Sequence, residues 1–429
     1  MSDALKIGVA GLGTVGGGVV RLLKAQADVL AERCGRKLVV TAVSARDRFR
    51  DRGVDLSDLR WCDDPVALAA DSSLDVVVEL IGGSEGPARI VCETALSGGR
   101  HVVTANKALL AHHGSALARS AEEKGVILAF EAAVAGGIPV IKGLREGLAA
   151  NRVSEIHGIL NGTCNYILSQ MRVTGRDFGE VLAEAQKLGY AEADPSFDID
   201  GVDAAHKLSI LTAVAFGTPV TFTPANVEGI RHVSAQDIAY ADQLGYRIKL
   251  LGIARRSADR LEQRVHPCLV PKASPIAGVE DVFNAVVAEG DFVERVTFVG
   301  RGAGAGPTAS AVAADLVDIA LNRRTPTFGV PVDRLDARSV APMSARCGAY
   351  YVRLMVRDEV GVLARIAGAL ADVGVSIAKF FQDQRAPGET VPVVLTTHDA
   401  DEASMLRALD QIKALDSVKE TRMIRIEAF

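Results

Sequence analysis

Short β-branched runs alternate with amphipathic stretches over the first 135 residues, and the runs at 5–10, 38–43, 76–80, 101–104 and 126–130 predict strands. Strands separated by helix-length segments need crossover connections, so this pattern predicts a parallel sheet with helices on its faces. Beyond residue 138 the periods mix. A strand is expected at 153–160, helices at 178–188 and 201–216, and further strands near 248–254 and 293–299, which together describe a second, α+β domain. A helix ending at Leu321 begins after the run from Gly302 to Thr308. Periodicity then fades over 322–348 among Pro326, Pro331, Pro342 and polar residues, which predicts a linker. It returns as strand 350–356, helix 361–373, strands 376–382 and 390–397, helix 402–412 and strand 420–426. That order, βαββαβ, is a ferredoxin-like split unit. The expected division is 1–135, 136–303, a linker at 322–348 and 349–429, with a helix at about 304–321 completing the first unit.

Composition narrows the class. At 429 residues the chain can hold two to three domains, and 48% hydrophobic with 24% charged residues excludes a disordered chain and a multispan membrane protein. A net charge of −5 and a pI near 6.0 offer no general attraction to nucleic acid or anionic lipid, so neither is an expected partner. Six cysteines lie scattered without CxxC spacing, which suggests reduced thiols and neither a zinc site nor a disulfide framework. The opening Met-Ser-Asp-Ala-Leu-Lys leads into the first strand without an apolar leader, and a cytoplasmic protein is expected.

Candidate chemistry starts at Gly11-Leu12-Gly13-Thr14-Val15-Gly16, placed between the first strand and a helix. Glycines there let the backbone turn and approach a pyrophosphate, whose charge the helix N-terminus stabilises. After the second strand comes Ser44-Ala45-Arg46 in place of the acid that would take both ribose hydroxyls. A carboxylate would repel a 2′-phosphate, whereas Arg46 offers a guanidinium fork and Ser44 a small donor, so NADP is favoured and NAD remains possible. Arg48, Arg50 and Arg52 crowd the same loop, which a solvated basic loop would also show. Lys107 follows the strand at 101–104, at the sheet edge where open α/β sheets bind ligands.

The densest constellation runs from Gly189 to Pro195 and on through Asp198, Asp200, Asp203 and Lys207. Asp203, Lys207, Ile210 and Val214 fall within about 60° at about 100° per residue, which sets a charged pair on an apolar stripe. A lysine buried there must be paired or lose its proton readily; the second state suits proton transfer, while an i, i+4 salt bridge would be purely structural. Glu192 supplies an acceptor for an α-ammonium group, and His206, one step off the stripe, is expected to be a satisfied packing residue. Glu131 opens an irregular glycine-rich turn of a kind that can present oxygens to a hard cation, although spacing alone favours a plain turn. The run from Gly302 to Gly306 fits extra N–H donors and a simple hinge equally well. Cys164 has no histidine partner in the pattern and is expected to be a packed thiol, not a nucleophile.

Seven motifs occur together: GLGTVG from Gly11, TANK ending at Lys107, EAAVAGGIP from Glu131, NGTCNY from Asn161, LGYAEADP from Leu188, DIDGVDAAHKL from Asp198 and GRGAGAGPTAS from Gly300. In that order, across essentially the whole chain, they resemble long-form homoserine dehydrogenases with a C-terminal ACT regulatory domain. The resemblance implies an N-terminal Rossmann-type parallel sheet, an α+β catalytic and dimerisation domain and a βαββαβ ACT domain. It implies reversible reduction of L-aspartate 4-semialdehyde to L-homoserine with a nicotinamide as hydride carrier. By the same resemblance Lys207 is the catalytic lysine with Asp203 beside it. Glu192 holds the substrate amino group, with Lys107, Thr163, Tyr190 and Asp198 as further substrate contacts. The cofactor contacts are Gly11 to Gly16, Ser44, Arg46, Lys107 and Gly304. Glu131 by its side chain and Val134, Gly136 and Ile138 by their carbonyls correspond to a monovalent-cation site, for sodium or potassium. Threonine is the implied effector at the ACT domain, where Val360 stands in a loop position often occupied by proline, and the implied assembly is a homodimer or homotetramer. Two rivals, an acylating dehydrogenase using Cys164 and a non-catalytic sensor, leave the lysine beside Glu192 without a purpose.

Overall fold

Valine-rich runs make strands buried on both faces, which is what a parallel sheet covered by helices requires. The computed structural model describes residues 4–223, 226–257, 260–382 and 388–429; the first three residues of the N-terminal reading lie outside these. Its first sheet contains β1 (Leu5–Ala10), β2 (Leu38–Ser44), β3 (Arg60–Cys62), β4 (Val76–Glu79), β5 (His101–Thr104) and β6 (Leu128–Ala129). The spatial order is β3-β2-β1-β4-β5-β6, and every neighbouring pair is parallel. Strand order reverses between β1 and β4, so a crevice opens at their C-terminal ends, the place where such sheets take ligands. The helix Ala305–Ala320 returns to this sheet and packs on the helix Thr14–Ala25, with Ala309, Val312 and Leu316 joining Val19, Val20 and Leu23 in one core. Gly18 permits the approach, because a Cβ there would lie 2.9 Å from the Ala305 carbonyl oxygen.

The second sheet begins with β7 (Val153–Ile159), β8 (Tyr246–Arg256), β9 (Arg260–Pro271), β10 (Phe283–Gly290) and β11 (Glu294–Arg301), all antiparallel to their neighbours in the order β11-β10-β7-β8-β9. The C-terminal unit supplies β12 (Tyr350–Arg357), β13 (Ile377–Phe381), β14 (Thr390–Thr397) and β15 (Val418–Ile426), ordered β15-β12-β14-β13. The two units share one sheet. β15 pairs with β9 in parallel through Arg425 with Cys268 and Ile426 with Leu269. Nothing in the hydrophobic pattern announces that seam. The stretch 322–348 is packed against it: Ser339–Val340 pairs with β9, the Ala341 carbonyl accepts from Asn226, and Arg346 is buried on Glu427.

Strands β9 and β10 and the helix Gly162–Thr174 are absent from the sequence expectation. β9 is buried along most of its length yet carries Gln263, Arg264 and His266, so it shows neither alternation nor a clean apolar run. The expected apolar stripe on the helix Val202–Phe216 is also corrected: residues 203 through 214 are all buried, so this helix runs through the core and has no solvent face. Among the described residues no helix is long and apolar enough to cross a membrane.

Candidate active site

The crevice between β1 and β4 is shaped by glycine. Gly11 has φ +101°, and a Cβ on it would lie 2.5 Å from the Leu80 carbonyl after β4. A Cβ on Gly16 would come 2.0 Å from the Gly11 oxygen. Gly13 starts the helix Thr14–Ala25 without a side-chain cap, and a Cβ on it would meet open space. An uncapped helix N-terminus facing an open glycine turn fits a dinucleotide pyrophosphate. Leu12 is buried while Thr14 is exposed and Val15 half-buried. Ser44 closes β2 and is buried, whereas Arg46 is exposed beyond it. Sequence reasoning assigned nothing to Arg52. Its Nε donates to the Leu12 carbonyl at 3.0 Å and its guanidinium lies 5.5 Å from the Trp61 ring, so it braces the glycine turn. Only a run of arginines hinted at it. Gly304, with φ +121°, starts the returning helix where it meets Gly18.

A second group of residues converges beyond β5 and β7. Asn106 caps the helix Lys107–Lys124 by accepting from the Leu109 N–H, which sets Lys107 in the first turn. Gly201, at φ +84°, turns the chain into the helix Val202–Phe216, whose first turn carries Asp203. The Lys207 ammonium donates to Asp203 at 2.8 Å and to the Leu160 carbonyl at 2.8 Å, and the Lys107 ammonium lies 3.0 Å from the other Asp203 oxygen. Asn161 donates to both Asp198 and Asp203 at 2.8 Å while its carbonyl caps the helix Gly162–Thr174. Sequence reading quoted Asn161 without giving it a role, and its only signal was a cap-type residue before Gly-Thr.

Electrostatics sort these groups. Burial alone would raise the Asp203 carboxyl, but Lys207 and Lys107 hold it far below the usual carboxylate range. Asp203 in turn raises Lys107 despite the desolvation of that ammonium. Asp198 shifts up, through burial and then through its like-charged neighbour Asp203. The side chain of Lys107 is still 34% exposed and that of Asp203 only 3%, so the pair has one face toward the crevice. Glu192 is exposed, and it helps to raise Lys107. Thr163 donates to the Tyr190 carbonyl at 2.7 Å, which ties the helix Gly162–Thr174 to the loop bearing Tyr190 and Glu192.

Two neighbouring residues, His206 and Cys164, were expected to be packed in the core, and both are buried. His206 packs among Phe197, Phe222 and His112 as expected, and its Nδ1 meets no hydrogen-bond partner among the described residues. Burial, followed by His112, pushes its pKa down to about 4, which fits a neutral ring among aromatics. Cys164 is fully buried, donates to the Asp198 carbonyl at 3.2 Å and is pushed well above the usual thiol range by burial, the opposite of an activated nucleophile.

Glu131 is also buried. Its two carboxylate oxygens accept the backbone N–H groups of Ile141 and Lys142, each at 2.9 Å, and burial followed by Asp315 raises its pKa to about 7. The turn that follows strains Ala135 to φ 55° and Gly136 to φ 48°, and Gly136 and Gly137 press against residues 301–307. Among the described residues no cluster of three or more His, Cys, Asp or Glu side chains could hold a metal. Glu131 and the turn residues Val134 and Ile138 are buried together in the core, and carboxylate and carbonyl oxygens are the donor types a hard cation takes.

Comparison with known proteins gives consistent matches. Residues 11–131 match the family model described as homoserine dehydrogenase, NAD binding domain; residues 139–317 match homoserine dehydrogenase; and residues 350–416 match the ACT domain. A homoserine dehydrogenase of Pseudomonas aeruginosa is 47% identical over 421 residues, covering 96% of both chains. One of Neisseria gonorrhoeae is 46% identical over 431 residues, covering 99% of both. The crystal structure of a homoserine dehydrogenase from Thiobacillus denitrificans superposes with a TM-score of 0.94 at 46% identity, over 99% of each chain. A hyperthermophilic archaeal homoserine dehydrogenase in complex with NADPH superposes with a TM-score of 0.64 at 27% identity, over 76% of this chain and 100% of that one.

Proposed function

The chain belongs to the homoserine dehydrogenase family, NAD(P)-dependent oxidoreductases acting on a CH–OH group, and we propose that Lys207, Asp203 and Lys107 carry its reduction of L-aspartate 4-semialdehyde to L-homoserine. One observation supports this above the others: a buried carboxylate, Asp203, bridges two lysine ammonium groups beside the crevice of a dinucleotide-type sheet. When bound, the reduced nicotinamide supplies hydride. Negative charge then develops on the aldehyde oxygen, and Lys207 gives it a proton while Asp203 keeps that ammonium oriented. In the oxidative direction Lys207 takes the hydroxyl proton. Lys107, more open to the crevice, orients the reacting end, and Glu192 holds the α-ammonium, with Thr163, Tyr190 and Asp198 shaping the same pocket.

Residues 11–16, Ser44, Arg46 and Gly304 hold the dinucleotide, and the missing acid after β2 favours NADP over NAD. Glu131 with the Val134, Gly136 and Ile138 carbonyls holds sodium or potassium, whose charge offsets the buried carboxylates of Glu131 and Asp315. Threonine acts as feedback effector at the ACT unit, at the turn from Asp358 to Leu363. The division 1–135 with 304–321, 136–303 and 349–429 describes the functional units, and pairing of the second and third units gives a homodimer or homotetramer. Its six cysteines are free, in keeping with a cytoplasmic place. The test is nicotinamide reduction driven by L-homoserine with NADP and with NAD, repeated with added threonine. Faster turnover with NADP, inhibited by threonine, is expected. No turnover with either cofactor overturns the reading.

A further inference from the structure

Glu79, the last residue of β4, is a fully buried carboxylate that no step above uses. Each of its oxygens does a different job. Oε1 accepts the backbone N–H groups of Ile81 at 2.7 Å and Gly82 at 3.1 Å, which curls the segment after β4. That segment is the wall of the crevice, since Leu80 and Ile81 are the atoms a Cβ on Gly11 would strike. Oε2 accepts the Thr104 hydroxyl at 2.6 Å at the end of β5. The Thr104 oxygen takes the Asn106 N–H at 3.0 Å; the Asn106 side chain donates to the Gly83 carbonyl at 2.7 Å and accepts the Leu109 N–H at 3.0 Å. Lys107 is the next residue, and its ammonium meets Asp203. A closed ring of hydrogen bonds therefore joins the cofactor wall to the helix turn bearing Lys107. Burial raises the Glu79 carboxyl, so its place is maintained at an energetic cost that packing alone would not require.

We propose that Glu79 is a positioning residue for the reaction, one oxygen setting the cofactor wall at 80–83 and the other setting the turn that carries Lys107. The proposal rests on the assignment of Lys107 to the reacting end of the substrate.

The two limbs separate by substitution. In Glu79→Gln the amide oxygen still accepts from Ile81 and Gly82, but the amide nitrogen can only donate, so the Thr104 hydroxyl loses its charged acceptor and must turn its proton away to receive the amide hydrogen. NADPH affinity, read by nicotinamide fluorescence, should then stay within about threefold of wild type while kcat for homoserine falls about tenfold or more. Thr104→Val should reproduce the kcat loss with the same intact affinity. Adding it to Glu79→Gln should cost little more, because both break one link. Glu79→Ala should lose both, with Kd for NADPH raised about tenfold. If the alanine variant does not fold, the other two still decide. Wild-type kcat in Glu79→Gln and Thr104→Val, or equal losses of kcat and affinity that follow thermal stability, would overturn the proposal. A Lys107→Ala variant with wild-type kcat would instead overturn the assignment of Lys107, and the NADPH affinities would still report on the cofactor limb.

Discussion

Replacing Asp203 by Asn keeps the side-chain shape and removes the charge between two ammonium groups. Each contact, at 2.8 and 3.0 Å, is a Coulomb attraction of about 6 kcal/mol at an effective dielectric of about 20. Much of that offsets desolvation, and removing one partner of a buried pair costs about 3–5 kcal/mol net. The amide can still take a hydrogen bond from one lysine, which places the expected loss of stability at the lower end, about 3 kcal/mol. The lysine left without it would keep only its other contact, the Leu160 carbonyl for Lys207 or the face of the Phe197 ring, at 5.7 Å, for Lys107. Because no carboxylate then holds either ammonium in place, kcat should fall about 100-fold, the lower range for loss of a positioned acid or base. Direction matters as well. Asp203 holds the Lys107 ammonium above its usual range, so in the variant Lys107 should release its proton at lower pH, and any limb of the rate profile that Lys107 sets should move the same way. Steady-state rates in both directions across pH, with NADPH affinity as a control for the untouched glycine turn, provide the assay. A folded Asp203→Asn protein with kcat within about threefold of wild type would refute the proton-transfer account.

Three other perturbations test separate parts. Gly18→Val would push the Ala305 carbonyl, 2.9 Å from even a Cβ, and should destabilise the protein by about 1–3 kcal/mol while weakening cofactor binding; denaturant unfolding and NADPH titration check both. Arg46→Glu should cost NADP about 10- to 100-fold in kcat/KM, the worth of a hydrogen bond to a charged group, and leave NAD less affected. Glu427 sits among Arg264, Arg346 and Arg255 at the seam; burial opposes its charge but the arginines prevail, lowering its pKa from 4.5 to about 2. A lowered carboxyl stabilises above its unfolded value and loses that stabilisation as pH falls through the folded one, so about 3 kcal/mol should vanish between roughly pH 4.5 and 2. The stability gap between wild type and Glu427→Gln should be wide near pH 6 and close on acidification.

Local signals were legible where function and fold use the same residues. The glycine turn at Gly11, the lysine after β5 and the Asp203–Lys207 pair all follow from short-range spacing, and the structure joins both lysines to Asp203. Contacts that depend on distant segments were not. Arg52 meets Leu12 across 40 residues, Asn161 meets Asp203 across 42, and the β9–β15 seam unites segments more than 150 apart. β9 was hidden for another reason: its buried arginine and histidine look like surface residues until their partners on the C-terminal unit, Glu427 above all, are in place. Asp203 and Lys207 illustrate the reverse, a correct pairing drawn from an apolar stripe that proved to be a helix buried on every side.

The central claim is that Lys207 moves the proton. Homoserine-dependent reduction of NADP by wild type and by Lys207→Ala, with NADPH binding measured on the same preparations, tests it most directly. Turnover in the wild type, a loss of about 100-fold or more in the variant and equal NADPH affinity in both is the predicted result. A variant that binds NADPH and turns homoserine over at the wild-type rate would contradict it.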